Sequence, residues 1–397
     1  MAQSRSLVPL AAIAGCFGVY GWAVFAFTFR HDGVIGPRYD VPGTDWMVQY
    51  GAARAAIEGR IGLVLDGDRF TDFLNARFAD WLRGPLSFHP WIYPPHFLLL
   101  LVPFALLPFG VACGLFLALG GAALVAAAWC AVPGRGERWM VASFILLSPA
   151  ASITAVTGQT AFLTAALLLG GATLAAERPV FAGLLLGALT FKVQFWLMVP
   201  VALAAARQWR ALGVALAAAL VLVAASIAAF GFAPWQAWLG DVLAPAPGFR
   251  VEWREWSALW GEDVFACALL LGAPDRVGAA IQLAAALAAA GAVYWCYRSK
   301  LRPTLRLCVL LAASCLAAPH LQGYDMLLLA VAALLFLSDG CTHGLRPGDA
   351  GLALSLWVAP IFNPPRVIPL GFLTPLIEAV FIAALMLRAG RSARDRA

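Results

Sequence analysis

The sequence predicts an all-α polytopic membrane protein, and three observations carry that prediction. Of 397 residues, 62% are hydrophobic and 12% charged, against roughly half and a quarter in an average soluble domain. Runs such as Leu7 to Phe29 and Arg276 to Tyr297 hold at most one charge over the roughly twenty residues needed to cross a hydrocarbon core of about 30 Å. These runs are Ala, Leu and Val on every face, whereas barrel strands alternate polar with apolar side chains. A soluble nucleotide-binding domain has no room in what remains.

The first run carries Ile13-Ala14-Gly15-Cys16, similar to a lipoprotein processing box. The apolar stretch continues to Phe29, longer than a signal h-region, so Leu7 to Phe29 is predicted to be an uncleaved first helix. Cys16, Cys113, Cys130, Cys267, Cys296, Cys308, Cys315 and Cys341 fall mostly inside apolar runs without a CxxC pair. They predict packing, not a zinc site or a disulfide framework.

With Arg5 cytoplasmic, the first helix delivers Arg30 to Trp91 outside, and the positive-inside rule places Arg135 to Arg138 back inside. An odd number of crossings must separate them. Pro94, Pro95, Pro103 and Pro108 break the first half of the intervening apolar stretch, so 95–109 is predicted as interfacial or re-entrant and Val111 to Val132 as the second span. The remaining crossings are predicted at 139–156, 158–176, 179–191, 193–206, 211–231, 277–297, 304–318, 324–338, 351–362 and 367–388. That makes about twelve, in one integral-membrane unit over 1–397, with 30–109 and 232–276 as extracytoplasmic loops. Inside segments then hold 15 Lys/Arg and 5 acids, outside ones 12 and 15.

Several of these spans are shorter than the bilayer. Short helices meeting at a polar apex must line a cavity, because lipid offers their backbone groups no partners. The apices are Gly158-Gln159, Lys192-Val193-Gln194, Pro319 to Asp325 and Asn363 to Arg366. All fall on the side of the first loop.

That loop holds seven arginines and eight acids, so its sum is close to neutral and no polybasic lipid clamp is predicted. Trp46, Tyr50, Ala53 and Ile57 recur at helical spacing, with Gly59 as a natural stop. The spacing predicts an amphipathic helix of about fourteen residues on the membrane, opened by Asp45. A carboxylate there serves as a cap or, kept ionised by the helix dipole, as a general base. Asp66-Gly67-Asp68 is similar to the DxD motif of soluble nucleotide-sugar enzymes, but it lies on the wrong side for nucleotide sugars. His89 and His96 are too far apart, with too few partners, for zinc. The loop Phe232 to Asp263 carries Trp235, Trp238, Trp253, Trp256 and Trp260, either an interfacial belt or a stacking surface for a sugar.

Gly43-Thr44-Asp45-Trp46, Trp91-Ile92-Tyr93-Pro94-Pro95, Leu101-Val102-Pro103, Gly158-Gln159, Ala182-Gly183-Leu184 running into Lys192, Arg207-Gln208-Trp209-Arg210, and Pro319-His320 followed by Tyr324-Asp325 appear in an order that resembles the family 87 glycosyltransferases. Where that family usually has Lys-Pro, this chain has Lys192-Val193. The resemblance implies a GT-C-type bundle and an inverting transfer from a polyprenyl-phosphate sugar to an acceptor hydroxyl on the extracytoplasmic face, in the setting of a bacterial inner membrane. Mannose is the sugar it favours, and a lipid or glycan the acceptor. It implies no metal or other cofactor and no nucleic-acid partner.

Asp45 matches the family's catalytic carboxylate. One base suffices for a single displacement through an oxocarbenium-like state, and the departing phosphate needs positive charge more than a proton. Candidate cations are Lys192, His320, Arg366 and Arg254, with Gln159, Tyr324 and Asp325 as further substrate-site residues. Lys192 is the only charged residue between Arg178 and Arg207, and a charge at membrane depth is costly unless paired or facing a cavity. It contacts phosphate, or it forms a structural salt bridge, Asp325 being the partner in view. A non-catalytic flippase of a lipid-linked saccharide would use the same cavity and cations.

Overall fold

The computed structural model describes residues 42–82, 84–132, 134–243, 261–362 and 373–394, with Gly15, Gly18, Val19, Arg254 and Glu255 besides. Among these residues all regular structure is helical. Apart from Gly15, Gly18 and Val19, the predicted first span lies outside the described residues.

The chain order is α1 Thr44–Ile57, a 3-10 turn Ile61–Leu65, α2 Gly67–Arg77, α3 Phe97–Ala105, α4 Phe109–Ala131, α5 Arg135–Leu146, α6 Pro149–Thr157, α7 Ala161–Leu174 and α8 Pro179–Ala188. After a second 3-10 turn, Leu189–Phe191, come α9 Val193–Trp196, α10 Met198–Ala205, α11 Trp209–Phe230, α12 Ala233–Leu243, α13 Val264–Leu270, α14 Asp275–Arg298, α15 Pro303–Ala317, α16 Leu327–His343, α17 Asp349–Val358 and α18 Leu373–Arg394. The boundaries have local chemical causes. Pro179 and Pro303 sit in the first turns of α8 and α15, where their missing N–H costs nothing. The side chains of Asp66, Ser148 and Asp263 accept from the backbone N–H of Arg69, Ala151 and Ala266 and cap α2, α6 and α13.

Among the described residues, α4, α11, α14 and the first eighteen residues of α18 are long and apolar enough to cross a membrane. A fifth candidate is the pair α5 and α6, bent by 51°. The predicted single span over 139–156 is therefore broken, because Ser148 caps a new helix and Pro149 starts it. The other apolar helices, α7, α8 with its following turn, α9–α10, α15, α16 and α17, run 10–17 residues.

Two layers result. The crossing-length helices turn bulky apolar side chains outward: Leu115 and Leu119 on α4, Leu216, Leu220 and Val221 on α11, Leu283 and Leu287 on α14, Val380 and Leu387 on α18. So much apolar surface suits contact with lipid. By contrast, α15 and α16 are buried along almost their whole length and pack against each other. Close approach elsewhere uses small residues: a Cβ on Gly183 or Gly187 of α8 would lie 2.6 Å from Val214 Cβ or 2.5 Å from Ala218 Cβ of α11.

Helix α1 ends where the sequence predicts, Gly59 taking φ +69°, but it is not the amphipathic rod expected from its spacing. Thr44, Gln49, Ala52 and Ala55 are buried along with Trp46 and Tyr50, since α3 and the Ile61–Leu65 turn pack on it. Its polar tips fit that setting. Tyr50 Oη donates to the Leu107 carbonyl (2.8 Å) and Arg54 Nη1 to that of Ala105 (3.2 Å), carbonyls at and just past the end of α3, where the helix supplies no further N–H partners.

Candidate active site

Helix α1 begins at Gly43, whose φ of +81° suits a residue without a Cβ. Its N–H donates to the Val156 carbonyl (2.7 Å), pinning the start of α1 to the end of α6. Asp45 stands one residue inside the first turn and is half-buried, so the cap position belongs to Gly43 and not to Asp45. Next to it, Trp46 is fully buried, stacked on Phe116 (4.9 Å between centroids) and edge-on to Phe104. Gly158 closes the other side. Its φ is +75°, and a Cβ there would stand 2.6 Å from Trp46 Cβ.

The Gly158-Gln159 turn then places Gln159 Oε1 to accept from the Thr160 N–H (3.0 Å) and from the Tyr93 hydroxyl (3.1 Å). Burial holds the Tyr93 phenol well above its ordinary value, and the carboxylates of Asp45 and Asp325 push it further. Tyr324 is raised by burial and then by Asp325, Asp45 and Tyr93. The carboxylates of Asp45 and Asp325 thus both act on the two buried tyrosines. Lys192 joins them: its Nζ lies 2.6 Å from Asp325 Oδ1 with both side chains almost completely buried, 5.1 Å from the Tyr324 ring and 5.5 Å from the Phe195 ring. Of the two readings of Lys192, the ion pair with Asp325 is present. A Lys ammonium has three donors, so Asp325 leaves it others.

His320 stands at the far end of the same turn, at φ +61° and edge-on to Phe265. Both backbone groups of the next residue are held: Leu321 donates its N–H to Asp263 Oδ2 (3.0 Å) and accepts from the Glu262 N–H (2.8 Å). Burial lowers the His320 imidazole to about 4, so at pH 7 it is a neutral ring and contributes no standing positive charge. Burial raises Asp263 to about 6, against the pull of its backbone hydrogen bonds.

The structure therefore brings Asp45, Gln159, Lys192, Tyr324 and Asp325 together, with His320 on the turn that supplies the last two. Arg254 is elsewhere, in an exposed pair with Asp275 at the start of α14 (2.8 Å), and Arg366 lies outside the described residues. Tyr93 was not singled out from the sequence. Its signal is its place immediately before Pro94-Pro95, where extended backbone is enforced and the ring is aimed at Gln159. Asp66 of the DxD look-alike is the cap of α2. Trp235 is buried, stacked on His96 (5.7 Å) with its indole N–H on Ser226 Oγ (2.9 Å), and Trp238 donates to the Ile92 carbonyl, so both tryptophans tie α12 to the segment that leads into α3; Trp253, Trp256 and Trp260 lie outside the described residues. No group of three His, Cys, Asp or Glu side chains that could hold a metal occurs among the described residues.

Residues 91–319 match the family model described as Glycosyltransferase family 87, a stretch containing Tyr93, Gln159 and Lys192 and ending one residue before His320. No curated protein and no solved structure matches the chain. With more than half its length matched, this membrane-embedded chain belongs to glycosyltransferase family 87, and it is a glycosyltransferase.

Proposed function

We propose that the protein moves a hexosyl group, mannose being favoured, from a polyprenyl-phosphate sugar to a hydroxyl of a lipid or glycan acceptor, with inversion at the anomeric carbon. In this reading the bundle is of GT-C type with about twelve crossings, the short apolar helices spanning in pairs around polar apices, and the site opens on the extracytoplasmic side of a bacterial inner membrane. The observation that carries the proposal is the buried Lys192–Asp325 pair beside Tyr324, at a site where the half-buried Asp45 carboxylate raises both Tyr93 and Tyr324.

The chemistry follows from those groups. At the N-terminus of α1 the helix dipole favours an ionised Asp45, which takes the proton of the acceptor hydroxyl as its oxygen bonds to the anomeric carbon. The bond from that carbon to the phosphate oxygen breaks, and the electron pair leaves with polyprenyl phosphate. Lys192, held by Asp325, offers its remaining N–H groups to the growing charge, worth more in a site without water than in solution. Tyr93 and Tyr324 stay protonated and act as hydroxyl donors. An arriving phosphate raises the affinity of His320 for a proton, so the neutral ring becomes a second cation only when substrate is present. No metal is required.

The test incubates purified protein in detergent with several radiolabelled polyprenyl-phosphate sugars and a membrane lipid extract. The wild type is expected to transfer mannose, unaffected by EDTA, and Asp45→Asn to lose transfer by about a hundredfold or more with an unchanged unfolding midpoint. Full transfer by Asp45→Asn overturns the assignment of the base. A wild type that turns over no sugar, yet moves a lipid-linked saccharide across a vesicle bilayer, overturns the transferase reading in favour of a carrier.

A further inference from the structure

The near-neutral sum of the first loop hides a separation of charge in space. Beyond the C-terminal end of α1, Arg60, Arg69 and Arg77 line one open depression of about 470 Å³ with Phe73 and Asp72. The Arg60 guanidinium lies 5.2 Å and that of Arg77 5.9 Å from the centre of the Phe73 ring. Of the nearby acids, Glu58 pairs with Arg54 and with Arg77 at the edge of the depression (both 3.1 Å), and Asp66 caps α2, leaving Asp72 as the one carboxylate on its lining. Among the described residues neither Arg60 nor Arg69 has a carboxylate partner.

We propose that this depression binds a phosphorylated sugar or polyol. The planar guanidinium fork matches phosphate oxygens in two-point fashion, and two such groups not paired to a carboxylate share one concavity. The volume falls within the range of small-ligand pockets and exceeds what a lone phosphate fills. The electron-rich Phe73 ring carries the Arg60 and Arg77 guanidinium groups and holds them at the depression. Helix α1 separates the depression from Asp45 by about 20 Å, at 1.5 Å per residue, so a group held there is not the one whose bond changes. It anchors an anionic ligand away from the reaction centre, and its test, being one of binding, is independent of whether sugar transfer is confirmed.

Two probes distinguish the sources of the ligand. The full-length protein is titrated with glucose 1-phosphate in detergent, and reconstituted into phosphatidylcholine nanodiscs with and without phosphatidylinositol; glucose is the neutral control. Saturable binding in the first arm assigns a soluble sugar phosphate, in the second a lipid headgroup. The Arg60→Gln/Arg69→Gln double variant should bind about tenfold more weakly or worse, since charge-assisted hydrogen bonds are lost. Asp72→Asn removes the one negative group and should bind about threefold more tightly, a gain that misfolding cannot imitate. No saturable binding in either arm, glucose binding as well as its phosphate, or an Asp72→Asn protein that binds no more tightly would each overturn the proposal.

Discussion

The two ends of α16 treat buried charge differently. At its C-terminal end Asp339 is gripped by Arg302 through two nitrogens and approached by His343 (3.5 Å), nearby Asp349 is paired with Arg388, and Glu137 accepts from Ser338 (2.7 Å). At the other end Asp325 meets the Lys192 ammonium, and Asp263 is met by two backbone N–H groups. Guanidinium forks fix both oxygens of a carboxylate and stay charged under all conditions. An ammonium has donors to spare, and backbone amides leave the carboxyl free to gain a proton. One end is built as a clamp; the other holds groups whose partners and protonation can change, which is what a reaction cycle demands.

Exchanging partners at the two ends sharpens that contrast. The largest effect is expected at Lys192. Lys192→Met strands a buried carboxylate and should cost about 4 kcal/mol of stability, together with nearly all sugar transfer. Adding Asp325→Asn should restore the unfolding midpoint and leave transfer absent; a double variant that regains transfer would make this end as purely structural as the other. Gly158→Ala follows, at about 3 kcal/mol from the left-handed backbone and the contact with Trp46, read as a lowered unfolding midpoint and a fall in kcat.

Next comes acidity. Asp263 sits at about 6 in the folded protein against 3.8 ordinarily, so between those values the folded state holds a proton that the unfolded state gives up. Its contribution is fully present below about pH 4 and is lost, by about 2 to 3 kcal/mol, as the pH rises from there through 6. The stability difference between wild type and Asp263→Asn should show that slope; a flat difference sinks it. The smallest effect belongs to the clamp. Arg302 is 42% exposed and can turn to solvent, so Asp339→Asn should cost only about 1 to 2 kcal/mol and leave kcat within about twofold.

Much of this was legible in the chain, for identifiable reasons. Proline and glycine punctuation marks where α1, α8, α11 and α15 begin or stop, because local backbone geometry decides those points. The break at Leu147-Ser148 was missed because hydropathy runs unbroken through it, although Ser148-Pro149 is a capping pair. The length of α1 could be read from its period, but not its burial on most sides, since Ala52, Ala53 and Ala55 present no polar face and the covering helix is fixed only by tertiary packing. Lys192 and Asp325, 133 residues apart, could be suspected as partners from the cost of an isolated charge. The arginines around Phe73 could not be separated from their acids by a sum over the loop.

The distance along the chain between Lys192 and Asp325 also has a consequence for biosynthesis. Ribosomes add about 5 to 20 residues per second, so Lys192 is added roughly 7 to 27 seconds before Asp325 exists. During that interval a long, flexible Lys stem can keep its charged head at the headgroup level, and the hairpin around it waits half-inserted. Withdrawal into the bundle comes only when the turn before α16 arrives, still ahead of the Asp349–Arg388 pair, whose arginine is made more than sixty residues later.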